Sequence, residues 1–180
     1  MANSSRINGF TLTDSVVTQS PVSVQAYPVD ASNATAIFRN DPIMQESDGY
    51  FAAATNGIGI ACAAVCCGAF DSNGIALSYL PALTAGTIIG IPVKGHVFEV
   101  QADTGTTLDQ GCVGATADFV SGSGSTVSGI SGYQLDSSNV GTGNQLRIMG
   151  LVGTPNNVWG DVSKLRVMFV ENLYESNTSV

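Results

Sequence analysis

The chain has 180 residues, enough to bury a substantial core without disulfides or metal. Only 11% of them are charged, 14 acidic against 6 basic, for a net charge of −8 and a pI near 4.2. Such a balance weighs against nucleic-acid binding, because phosphate contacts need clustered Lys and Arg, whereas Arg6, Arg39, Lys94, Arg147, Lys164 and Arg166 are scattered along the sequence. Its 21 glycines and few helix formers argue for a mostly β protein with at most one or two short helices. A surface so poor in charge must be built from Ser, Thr, Asn, Gly and backbone, which suits β proteins of large assemblies better than free cytosolic enzymes. The longest apolar run, residues 58–70, is interrupted by Gly59 and Gly68 and is too short to span a bilayer. MANSSRINGF has no apolar segment of a secretory signal, so synthesis in the cytoplasm and no membrane partner are expected.

In chain order, residues 1–20 are polar and without a sustained period. They read as an extended N-terminal arm, flexible alone and ordered on a partner, with Ile7, Phe10 and Leu12 as anchors. A disordered tail or a first edge strand is the alternative. PVSVQAYPV (21–29) alternates Val22, Val24 and Ala26 between prolines, as an edge strand does. Residues 36–55 hold short strands at Ile37–Phe38 and Ile43–Met44, a turn at Asn40–Asp41–Pro42, and a Ser47–Asp48–Gly49 hairpin turn into Tyr50 and Phe51. IGIACAAVCCGAFD (58–71) is continuous and apolar, the pattern of a strand covered on both faces. SNGIALSYL and TAGTIIGIPVKG continue the series of short strands, as in a barrel or sandwich.

The strongest alternation follows. HVFEVQAD (96–103) sets Phe98, Val100 and Ala102 on one face and Val97, Glu99 and Gln101 on the other. QLRIMGLV (145–152) places Leu146, Ile148, Gly150 and Val152 together, and KLRVMFVEN (164–172) does the same with Leu165, Val167 and Phe169. Turn-rich connections imply an antiparallel sheet. Residues 111–139 read as short strands or helical turns, then a Gly/Ser-rich loop lying over the sheet through Thr126, Val127, Ile130 and Tyr133. YESNTSV is expected to be a frayed terminus. The fold class is therefore all-β, an antiparallel barrel or sandwich with an N-terminal arm (1–20) and long Gly/Ser-rich loops. A small barrel-like region (21–95) and an antiparallel region (96–180) make up the rest, or one continuous domain, 21–180.

No catalytic constellation emerges. His96 has no Ser or Cys in a nucleophile setting, and Ser123 lacks the strand-to-helix context of a nucleophile elbow. The carboxylate pairs Asp103/Asp109 and Asp41/Glu46 flank turns, where capping backbone N–H groups is the expected role. Cys62, Cys66 and Cys67 lie among Ala, Val and Gly, with Cys112 far downstream, a setting that favours core packing ahead of a disulfide or a metal site. No cofactor-binding or phosphate-binding loop is present. Trp159 in NNVWGD is either a lid on the sheet edge or an exposed ring that anchors a neighbour or stacks on a sugar.

HVFEVQAD, VGATADFVSGSGSTVSGISGYQLDSS, LRIMGLVGTPNNVWGD and LRVMFVENLY, in this order, resemble a family of tailed-bacteriophage head decoration (capsid cement) proteins. MANSSRINGF is similar to the openings of those proteins, and AIFRNDPIMQESDGY to their segment with an Asn-Asp-Pro turn before a strand. The Cys-rich IACAAVCCGAF departs from the plainer Gly/Val strand expected of the family. The resemblance implies a structural protein of the virion exterior that is not an enzyme. Its expected partners are the major capsid protein and its own copies in a homotrimer, and it stabilises the shell by bridging neighbouring subunits. Arg6, Ile7, Asn8, Phe10, Leu12 and Trp159 are the expected contacts with capsid or neighbour. A tail or surface module that binds carbohydrate, with Trp159 and Tyr133 stacking on sugar, is the alternative.

Overall fold

The computed structural model describes residues 3–15, 22–57, 59–143 and 145–174. The expected arm at 1–2 and 16–20, and the expected frayed end beyond Tyr174, lie outside the described residues. The strands, in chain order, are β1 (Thr11–Ser15), β2 (Gln25–Val29), β3 (Ile37–Phe38), β4 (Pro42–Gln45), β5 (Phe51–Ala53), β6 (Cys62–Asp71), β7 (Ala76–Leu77) and β8 (Tyr79–Leu80). They continue as β9 (Gly86–Pro92), β10 (His96–Gln101), β11 (Thr116–Ala117), β12 (Phe119–Val120), β13 (Gln134–Leu135), β14 (Leu146–Leu151) and β15 (Lys164–Phe169). Among the described residues the helical content is two single 3-10 turns, Gln110–Cys112 and Ser137–Asn139. The chain is all-β and its sheets are antiparallel.

One large sheet has the order β1-β10-β15-β14-β11 and the other β2-β9-β6-β4-β5, with β7 on the far end of β6, and β12-β13 and β3-β8 form two separate two-stranded ladders. The second sheet curls until its edges approach, Tyr27 on β2 meeting Phe51 on β5 edge to face at 4.9 Å. No ladder joins these edges among the described residues, so the barrel-like half stays open. Its interior holds Tyr27, Val29, Ile37, Ile43, Phe51, Leu80 and Ile88. The other core lies between the two sheets and takes Phe98, Val100, Leu146, Ile148, Leu165, Val167 and Phe169 from the first, with Ala54, Cys62, Val65 and Val93 from the other half of the chain.

β6 is the partition between these cores. Cys62 and Val65 face the inter-sheet core, while Ala63, Ala64, Cys66 and Ala69 face the curled sheet's interior. Two buried faces explain the unbroken run of small apolar residues, since neither face can take a polar side chain or tolerate bulk. Desolvation pushes the Cys66 thiol up to about 12 and Cys62 up as well, so neither forms thiolate near neutral pH. In the folded chain at pH 8, an alkylating reagent is expected to reach the half-buried Cys112 first and to spare Cys62 and Cys66. Mass mapping before and after denaturation checks this.

Several sequence expectations shift in detail. Residues 3–15 lie on the chain's own body, with β1 as an edge strand beside β10, which is the alternative to a free arm. On β2 the buried residues are Tyr27 and Val29, whereas Val22, Val24 and Ala26 are exposed. In β14 a bulge at Gly150 (φ 146) breaks the alternation after Ile148 and sets Gly150 opposite Arg166 rather than inside. Both Val97 and Gln101 on β10, assigned to the open face, are buried. Gln101 lies under the N-terminal segment, its Oε1 accepting from the Arg6 N–H at 2.6 Å and its Nε2 donating to Ser5 Oγ at 3.2 Å.

Candidate interaction face

The outer face of the five-stranded sheet gathers most of the chain's positive charge. In β15 the inward set Leu165, Val167 and Phe169 leaves Lys164, Arg166 and Met168 pointing out. Cross-strand pairing extends this row: Arg147 on β14 stands opposite Met168, Glu99 on β10 opposite Arg166, and Gln101 opposite Lys164. Arg6, on the segment that crosses this face, lines with Lys164 and Glu99 an open cleft of about 190 Å³. A second cleft, of about 410 Å³, is shared by Arg6, Lys164, Asn3, Thr154 and Asn157. Arg6, Arg147, Lys164 and Arg166 are four of the chain's six Lys and Arg.

Two carboxylates share the face. Lys164 Nζ lies 3.5 Å from Glu99 Oε1, and an Arg166 guanidinium nitrogen lies 3.6 Å from Asp14 Oδ2. Both pairs are solvated, so each adds only about 0–1 kcal/mol to stability. Among the described residues, four cations stand against these two ion-paired acids on the face, on a molecule of net charge −8. Exposed Met149, and Met168 beside Arg147, supply adaptable apolar surface among the charges.

The N-terminal segment is stitched across one margin of the face by side-chain hydrogen bonds. Asn3 Nδ2 donates to the carbonyls of Val158 (2.8 Å) and Asp161 (2.9 Å), and Asn3 Oδ1 accepts from the Val158 N–H at 3.0 Å. The hairpin it grips is fixed by Asn157, which donates to the carbonyls of Val152 and Lys164 and accepts from the Lys164 N–H.

Of the contact residues expected from sequence, Arg6 alone joins the cationic row. Ile7 is 42% exposed, on the rim of a neighbouring cleft lined by residues of the Gly/Ser loop. Asn8 is half-buried, donating to Thr11 Oγ1 and accepting at its carbonyl from Asn40 Nδ2. Phe10 is fully buried, so its side chain is committed inside this chain, while Leu12 is half-buried against the same core. Trp159 is half-buried against that core with its Nε1 donating to Gln110 Oε1 at 3.0 Å, a lid on the sheet. Tyr133 is buried and its hydroxyl donates to the Ala54 carbonyl at 2.6 Å, which removes it as a sugar-stacking ring.

The titratable groups considered for catalysis serve the backbone. His96 Nδ1 sits 3.0 Å from the Lys94 carbonyl. Asp103 accepts from the Gly105 and Ser137 N–H groups and the Ser137 hydroxyl, and Asp109 accepts from the Gly111 N–H. Asp41 and Glu46 part company: Asp41 is buried, while Glu46 sits with Asp30 and Asp48, their carboxylate oxygens within 4.8 Å of one another.

Comparison with protein-family models, with curated proteins and with solved structures found no match to this chain.

Sequence reading missed Arg147, Lys164 and Arg166 as a group because their numbers are far apart. The signal was present in the alternation itself. If Leu165, Val167 and Phe169 face in, the Lys and Arg between them face out together, and pairing with β14 brings Arg147 alongside.

Proposed function

We propose that the chain is a structural virion protein that decorates the outside of a bacteriophage capsid and stabilises it by bridging neighbouring major capsid proteins. Support comes from the sequence resemblance and, above all, from one observation: four of six cations sit on one open sheet face of a strongly acidic protein. Such a face is complementary to an acidic protein surface and steers its approach. A polyanion as dense as nucleic acid is a poorer fit, because most of the molecule repels it. Assembly into homotrimers belongs to this proposal and makes the contact multivalent, so that modest individual interfaces hold firmly.

The test uses capsids of the phage that encodes the chain, stripped of it and re-mixed with purified protein. Wild-type binding should weaken as salt rises. The double substitution Arg147→Glu with Arg166→Glu should weaken it at least about tenfold while leaving the melting temperature nearly unchanged, since both side chains lie outside the core. Undiminished binding by that variant would remove the face from the mechanism.

A further inference from the structure

We propose that Asp41 is a proton-controlled latch: with its carboxyl neutral it keeps the N-terminal segment and the Gly/Ser loop (121–132) closed on the body, and its ionisation loosens both. Three consecutive residues in the turn between β3 and β4 each hold a different part of the molecule. Arg39 holds the loop, its N–H donating to the Gly129 carbonyl and its carbonyl accepting from the Ser131 N–H, both at 2.9 Å. Asn40, in the left-handed region (φ 72), holds the N-terminal segment: its carbonyl accepts from the Phe10 N–H at 2.9 Å and its Nδ2 donates to the Asn8 carbonyl at 2.8 Å. Asp41 anchors the turn itself, its carbonyl accepting from the Cys66 N–H at 2.8 Å and its Oδ2 from the Phe38 N–H at 2.7 Å.

The other oxygen of Asp41 is the anomaly. Asp41 is 1% exposed, and among the described residues its buried Oδ1 has no hydrogen-bond partner. The Ser131 hydroxyl is near enough to favour the charged form, but it does not reach Oδ1 in bonding geometry. A protonated carboxyl tolerates that site; a carboxylate does not. Relief is close at hand. Clefts of about 400 and 320 Å³ flank the loop, the first lined by Phe38, Asp41, Gly124 and Tyr133, the second by Ile7, Ser125 and Ser131. Displacement of the loop away from Asp41 would widen the first cleft and admit water to the carboxyl, and it would draw Ser131 away from Gly9, which is packed directly against it.

Desolvation by burial lifts Asp41 from its ordinary 3.8 to about 7, the Ser131 hydroxyl and the Phe38 N–H opposing it in part. The sign follows from linkage. Because the closed state binds the proton more tightly than the open state, its stability is fully present below about 4. It declines as pH rises and is lost once pH passes about 7. The groups facing Asp41 keep their charge in this window. Cys66 on β6 is raised to about 12 and Tyr133 is raised by burial, so both stay neutral, and the guanidinium of Arg39 is carried on the same turn.

Amide hydrogen exchange on the full chain at pH 6 and pH 8, corrected for intrinsic rates, tests the latch. Protection at residues 8–10 and 125–131 should fall about tenfold in the wild type between these pH values, while β6 and β9 hold theirs. Asp41→Asn, which keeps an acceptor for the Phe38 N–H and cannot ionise, should show no such fall. Asp118→Asn, altering a buried carboxylate whose oxygens accept from Gln145 and Asn139, should behave as the wild type. Equal losses in wild type and Asp41→Asn, or no loss in either, overturn the proposal. Should Asp41→Asn fail to fold, carbon-13 titration of the wild-type carboxyl decides: a midpoint near 7 coincident with amide shifts at 8–10 supports the latch, and one near 4 overturns it.

Discussion

Replacing Phe10 with Ala is expected to destabilise the fold by about 3–5 kcal/mol, the range for removing a fully buried aromatic ring. Phe10 has no exposed surface and packs against Phe119 (ring centroids 5.9 Å) and Phe169 (4.9 Å). The contacts run on through Phe98 against Phe169 and Tyr133 against Phe119, so one ring from the N-terminal segment closes a five-ring cluster in the inter-sheet core. Neighbouring rings are held by strand pairing and cannot collapse into the space, which places the loss toward the upper end. Ile7, three residues away and 42% exposed, supplies the contrast: Ile7→Ala should cost no more than about 0.5 kcal/mol. Urea unfolding measures both, with the midpoint falling at constant m for Phe10→Ala. A loss below 1 kcal/mol would mean that the ring is not seated in solution and that residues 3–15 behave as a free arm. For the same reason, deletion of the segment should unfold or severely weaken the body, so it cannot serve as a clean test of docking.

Many strands from Ile37 onward were legible because their signals are local, whereas β11, β12 and β13 fall in the stretch 111–139, which read only as short strands or helical turns before a loop. Period-two alternation located β10, β14 and β15, and the Ser47–Asp48–Gly49 turn located the β4–β5 hairpin, whose Gly49 takes φ 91. Phe10 was noticed as an anchor but assigned to the wrong partner. Nothing local in INGFTL says whether a strand pairs with its own chain or with another, because the backbone bonds and the pocket are chemically alike in both cases. The interaction face was hidden for a related reason. Charges 19 residues apart, such as Arg147 and Arg166, become neighbours only through register, and the bulge at Gly150 alters that register locally. Asp41 read as an ordinary turn residue, and it does cap the Phe38 N–H. Its burial is imposed from outside the turn, where Ser131, Cys66 and Tyr133 lie around it, and so left no mark on its own neighbourhood in sequence.

The Gly/Ser loop yields the second large effect. SGSGSTVSGISG reads as slack sequence, yet two of its glycines form a close crossing: a Cβ on Gly132 would strike the carbonyl of Ser123 and the backbone of Gly122, and one on Gly122 would strike the carbonyl of Gly132. Gly124 is as confined, against the ring of Phe38, which stacks on Tyr79 with centroids 4.8 Å apart. Gly132 has no positive φ, so the requirement at this position is space and not backbone conformation. Gly132→Ala must therefore separate two backbone segments, one of them joined to the core through Tyr133, and should cost about 2–4 kcal/mol. Gly153→Ala, where a methyl meets nothing within 4 Å, should stay within about 0.5 kcal/mol. Thermal unfolding of the two variants side by side separates the readings. Comparable stabilities would mean that the loop is as slack as its composition suggests, whereas a drop confined to Gly132→Ala would make glycine there a packing residue on which the closed position of the loop depends.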